Sequence, residues 1–173
     1  MKDCNPVSTP TQFGLKLNKD HGGKKVDSII YKQIVGSLMY LTATRPDIMH
    51  SVSLISRYME NPIELHFLAT KKICLTCKEL RFWVVYKKGK RSDLIGLTNS
   101  DYAGDQDNRG ALRVCFYAGI GAVSWSSKKQ SIVTLSTTEA EFVAVTTCAF
   151  QAIWLRKFLK SFISSKWSYY NFL

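Results

Sequence analysis

Residues 94–142 read LIGLTNSDYAGDQDNRGALRVCFYAGIGAVSWSSKKQSIVTLSTTEAEF, and their periodicity decides the fold. LIGLT (94–98) is a short apolar run bounded by turn formers, which predicts a strand. NSDYAGDQDNRG (99–110), rich in Asn, Asp and Gly, predicts a loop. LRVCFYAG (112–119) and GAVSWSS (121–127) predict a hairpin around Gly119–Gly121. Ser136 is a good N-cap, and Glu139 three residues later completes a capping box, so a helix is predicted to start there and run to about Leu159. Three antiparallel strands and then a helix make an α+β arrangement.

Working outward, FWVVY (82–86) predicts a further strand and KKGKRSD a turn. Before them the apolar period is helical. Ile30, Val35, Leu38, Met39 and Leu41 predict one apolar face over 29–42. Thr44 and Pro46 break it. A second helix is predicted over 46–60, with Asp47 in its first turn and Ile48, Met49, Val52, Ile55 and Tyr58 facing inward. Asn61-Pro62 ends it. A third, about 63–80, carries Leu65, Leu68, Ala69, Ile73 and Leu75. Residues 1–27 hold Pro6, Pro10, Gly14 and Gly22-Gly23 with no sustained period, and predict an irregular arm or linker. No internal repeat is visible.

The 173 residues are 46% apolar and 21% charged, a composition that buries a core and excludes wholesale disorder. The longest apolar run, 142–155, is too short and carries Thr and Gln, which predicts no membrane partner. MKDCNPVSTP offers no apolar h-region, and five irregularly spaced cysteines read as reduced thiols. Both predict an intracellular chain, cytoplasmic or nuclear. Lys and Arg number 24 against 13 acids, a net charge of +11 that points to a polyanion such as nucleic acid. Residues 1–90 carry net +8 and residues 91–173 net +3. The densest run, KKGKR (87–91), reads either as a solvated turn or as a phosphate-contacting one.

Cys74-Leu75-Thr76-Cys77 is a lone C-x-x-C inside a helical pattern, without the second pair or the histidines a zinc site needs. His21, His50 and His66 are isolated and read as surface or packing residues. From Phe142 to Leu155 the last helix carries no charge on any face, so it wants cover on both sides. The strands can cover only one.

Five stretches stand in a telling order: YKQIVGSLMYLTATRPDI (31–48), LTNSDYAGD (97–105), SWSSKKQ (124–130), LSTTEAEF (135–142) and AIWLRK (152–157). Together they resemble the C-terminal part of copia-type retrotransposon Pol polyproteins, where the end of the reverse transcriptase meets RNase H. The resemblance implies thumb- and connection-like helices over 28–86, a partial RNase H-like domain over 93–160 and a non-family tail over 161–173. It implies binding to an RNA–DNA hybrid or duplex without sequence preference, contact with other Pol chains, and magnesium-dependent hydrolysis of the RNA strand.

The family's first carboxylate ends the first strand. Here the residue is Asn99, which offers a carbonyl oxygen but no charge. Asp101 follows two residues on, displaced by about 6–7 Å along a strand. It reads as a turn-forming acid, with a surrogate catalytic and metal-binding role as the alternative. The second carboxylate corresponds to Glu141, which starts a face shared with Ala144, Val145, Cys148, Ala152 and Leu155. A solvated first-turn Glu is the bland alternative. The family's later carboxylates have no counterpart, since no Asp or Glu follows Glu141, and the polymerase palm is absent. The expectation is therefore a catalytically defective binding remnant in which magnesium is not held productively, the alternatives being an RNase H subunit completed in trans by another Pol chain or a repurposed protein-interaction module. Lys87, Lys88, Lys90, Arg91, Lys128 and Lys129 are its candidate nucleic-acid contacts.

Overall fold

The computed structural model describes residues 4–12, 14, 17–19, 23–78, 93–100, 110–130 and 132–170, with side chains described to residue 162. Among the described residues, four α-helices and one three-stranded antiparallel sheet form an α+β fold. The predicted strand at 82–86, the basic run 87–91 and Asp101 lie outside the described residues.

Helix α1 spans Ser28–Leu41 and starts at Asp27, whose Oδ1 accepts from the Ile29 N–H at 2.8 Å. Its buried stripe is Tyr31, Val35 and Leu38. Ile30, Met39 and Leu41, expected inside, are 48%, 49% and 40% exposed. The helix is turned toward Tyr31 because this ring fills the core while its hydroxyl donates to the Ile55 carbonyl at 2.9 Å.

The predicted 46–60 helix is three short pieces: a 3₁₀ turn Pro46–Ile48, α2 Met49–Ile55 and a second 3₁₀ turn Ser56–Tyr58. Its inward positions Ile48, Val52, Ile55 and Tyr58 are buried as their spacing predicts, with Met49 half-buried. The first turn is tightened by Arg45, whose guanidinium holds Asp47 through two bonds of 2.8 and 2.7 Å.

Helix α3, Glu64–Cys77, buries His66, Thr70, Ile73 and Thr76, whereas Leu68 is 54% exposed. The polar stripe is satisfied within itself. Thr70 Oγ1 donates back to the His66 carbonyl. His66 is a packing histidine. Its Nδ1 accepts from the Ile63 N–H, its Nε2 lies 3.0 Å from the Asn18 carbonyl, and its ring stacks on Tyr58 at 4.0 Å. That pair of contacts fixes the neutral tautomer with the proton on Nε2. The arm over 1–27 has no helix or strand among its described residues, yet Leu17 is buried in the helical core. Its carbonyl accepts from Tyr58, and Lys25 bridges to Ile63.

The sheet is β1 Leu94–Ser100, β2 Ala111–Ala118 and β3 Gly121–Lys129, in that order. Gly119, at φ 65°, makes the β2–β3 turn where a side chain would be strained. Helix α4 spans Thr137–Tyr170 and lies on one sheet face. It runs past the predicted end at Leu159 because no Gly or Pro stands between Leu159 and Tyr170 to stop it. Between Thr137 and Phe162 it is long and apolar enough, by length and composition, to cross a membrane. Of its 18-residue apolar window 11% is buried, and Ala140, Ala144 and Cys148 are the residues buried between Thr137 and Phe162.

Candidate active site

Each β1 residue faces one side of the sheet or the other, and alternation fixes which. A Cβ on Gly96 would come within 2.8 Å of the Phe116 ring and 3.0 Å of Cys148 Sγ, so Gly96 faces α4. Thr98 and Ser100 share that side, with Val114 and Phe116 on β2. Ile95, Leu97 and Asn99 face away from α4. Asn99 is exposed, and its direct cross-strand neighbour is Arg113.

Glu141 lies on α4, exposed. The stripe that α4 buries is Ala140, Ala144 and Cys148, flanked by Ala152 and Leu155. Glu141 and Val145 were expected on this face. At about 100° per residue Glu141 falls between Cys148 and Ala152 on this stripe and Val145 just beyond its edge, yet both are exposed, Val145 by 57%. Glu139 does the capping work. Ser136 Oγ accepts from the Glu139 N–H at 3.1 Å. The Glu139 carboxylate accepts from the Leu135 N–H at 2.7 Å, one residue upstream of the capping-box position.

The structure therefore does not bring Asn99 and Glu141 onto one face. Magnesium needs several hard oxygen ligands, preferably charged, at one point. Among the described residues no three His, Cys, Asp or Glu side chains cluster to hold a metal ion.

Lys128 and Lys129 end β3, both exposed. The register sets Lys128 opposite Leu112, which faces Ser100, so the lysine pair sits at the same end of the sheet as Asn99. Lys87, Lys88, Lys90 and Arg91 are outside the described residues. Cys74 and Cys77 pack against the helical core, and burial pushes both thiols up.

The helical block also meets the sheet. Ser53 Oγ donates to the Ser127 carbonyl at 3.0 Å, and Trp125 Nε1 donates to the Thr42 carbonyl at 2.7 Å. Between them opens a cleft of about 450 Å³ that borders Asn99, Arg113, Trp125 and His50. Sequence reasoning missed Arg113, Trp125 and His50 as a group. Two-residue alternation gives each strand its faces, but only the cross-strand register aligns Arg113 with Asn99.

The chain is 41% identical over 168 residues to the retrovirus-related Pol polyprotein from transposon TNT 1-94 of Nicotiana tabacum, covering 92% of this chain and 13% of that protein. It is 37% identical over 157 residues to the Pol polyprotein from transposon RE1 of Arabidopsis thaliana, covering 90% of this chain and 11% of that protein. It is 32% identical over 131 residues to the secreted RxLR effector protein 161 of Plasmopara viticola, covering 74% of this chain and 92% of that protein. The chain thus spans only about a tenth of the polyproteins it matches. No protein-family model and no solved structure matches it.

Proposed function

Because this chain belongs to the family of retrovirus-related Pol polyproteins from transposons, we propose that it is a nucleic-acid-binding Pol segment that does not cleave. In this reading residues 28–86 are thumb- and connection-like, and residues 93–160 are RNase H-like. The three antiparallel strands and the helix docked on them are consistent with the opening elements of such a domain. The ligand is an RNA–DNA hybrid or duplex, held through its phosphates without sequence preference. The net charge of +11 supports this, as do Lys128 and Lys129 at the Asn99 end of the sheet.

One observation carries the loss of cleavage. Asn99 stands where the family motif has its first carboxylate, and it faces away from the helix that bears Glu141. A neutral amide brings no charge to a metal, and Glu141 alone cannot replace a cluster. Magnesium, implied by the family, is not held productively in this reading.

A salt-titrated mobility shift on a labelled RNA–DNA hybrid tests the binding. The expected result is affinity that falls steeply with salt. Lys128→Gln and Lys129→Gln should each reduce the log–log slope by about 0.9. Salt-insensitive binding, or none, would remove this function.

A second reading is favoured by α4. Phe142, Phe150, Trp154, Phe158 and Phe162 are more than half exposed along it. Another Pol chain could cover that face and supply the missing strands and acids in trans. Co-purification with such a chain, with cleavage only in the mixture, is what this reading requires.

A further inference from the structure

The sheet face turned away from α4 carries two rows that the register defines. Asn99, Arg113 and Ser127 stand side by side on the three strands. Leu97, Cys115 and Trp125 form the next row, about 7 Å along the strands, with Tyr117 beyond it. Pro46, Met49 and His50 of the helical block form the opposite wall. The open cleft between them, about 450 Å³, is within the range of pockets that take one small molecule. One row is polar and cationic. The next is apolar and ends in an indole.

Arg113 points to the kind of ligand. Its Nε is shielded from solvent, and none of the described residues accepts its hydrogen. A shielded guanidinium N–H without an acceptor is costly, and an anionic oxygen meets the need best. Among the described residues the one acidic side chain lining the cleft, Asp47, is already held by Arg45 through both its oxygens. Asn99, beside Arg113, offers an amide that can donate and accept at once. The Trp125 indole is fixed as a wall by its bond to Thr42.

We propose that this cleft binds one nucleotide unit. Its phosphate accepts from Arg113, its base lies against Cys115 and Trp125, and Asn99 meets the polar edge of the base. The unit is either a free mononucleotide or one residue of a single strand. This surface is distinct from the exposed lysines, so it goes beyond the hybrid binding proposed above.

Isothermal titration calorimetry of the full chain tests it, with adenosine 5′-monophosphate, ribose 5-phosphate and a short oligoadenylate as separate titrants. The monophosphate should bind, and ribose 5-phosphate should bind more weakly. Arg113→Gln should weaken the monophosphate by about tenfold, the loss of one charge-assisted hydrogen bond. Asn99→Leu, on an exposed edge strand, is the second variant should Arg113→Gln not fold, and it too should weaken binding. An oligoadenylate that binds more tightly than the monophosphate identifies a strand as the source; the reverse identifies the free nucleotide. No binding of the monophosphate at millimolar concentration overturns the proposal, as does equal binding of ribose 5-phosphate. Unchanged affinity in a folded Arg113→Gln or Asn99→Leu chain does the same. Loss of monophosphate binding alongside intact, salt-sensitive hybrid binding would sink the cleft and leave the proposed function standing.

Discussion

At the scale of single residues, two side chains show how one group is tied to the fold. Tyr31 is fully buried and bonded to the Ile55 carbonyl. Burial pushes its phenol from 10.0 up to about 12, against a smaller opposing hydrogen bond from Thr70. The folded state therefore keeps this proton after the unfolded chain has lost it. The stability it contributes is complete below pH 10 and is lost as pH rises toward 12, on the order of 2 kcal/mol. Urea unfolding should show Tyr31→Phe about 1 kcal/mol less stable at pH 8, with a shallower loss of stability above pH 10 than the parent. An identical alkaline loss in the two proteins would remove Tyr31 as its source. The other residue is Asn99. Its identity was legible in the sequence, and so was the chemistry it cannot do. That it looks away from α4 was not legible, because facing depends on which neighbours pack on the strand.

At the scale of elements, the packing of α4 on one sheet face decides which β1 residues are left to face the cleft. Gly96 is where the two approach most closely. A methyl there would meet the Phe116 ring at 2.8 Å and Cys148 Sγ at 3.0 Å, and Phe116 is fully buried. Gly96→Ala should cost about 1–3 kcal/mol by overpacking, read as a lower urea midpoint. A neutral effect would mean that α4 rides higher on the sheet than described. The three strands and the start of α4 were legible because each carries a local signal: β-branched and aromatic runs, a glycine turn, and Ser136 with Glu139. Helix faces were less so. Tyr31 displaced Ile30 from the core, because partners choose among near-equivalent apolar stripes, whereas Glu141 lies on the buried stripe by angle and is exposed all the same. His66 and Thr70 entered the core of α3 because their polar groups are satisfied there, which hydrophobic spacing does not reveal.

At the scale of the whole molecule, two features set behaviour. The helical block and the sheet are joined by Trp125 to Thr42 and Ser53 to Ser127. Trp125→Phe leaves the Thr42 carbonyl without this donor and should lower stability by about 1 kcal/mol in urea unfolding. No change would mean the two parts do not depend on that bond. The outer face of α4 holds an exposed ladder, with Trp154 stacked on Phe158 at 5.4 Å and Phe158 on Phe162 at 6.3 Å. A contiguous apolar surface of this kind binds hydrophobic dyes and promotes association. Dye fluorescence well above that of a compact control protein, reduced in Phe150→Ser, is expected, and a signal no higher than the control would mean the face is covered. The most direct measurement is magnesium-dependent nicking of an RNA–DNA hybrid by the purified chain, beside Asn99→Asp and Glu141→Gln. The account predicts a salt-sensitive complex and no nicking by the parent or by either variant. Nicking by the parent that disappears in Glu141→Gln would contradict it.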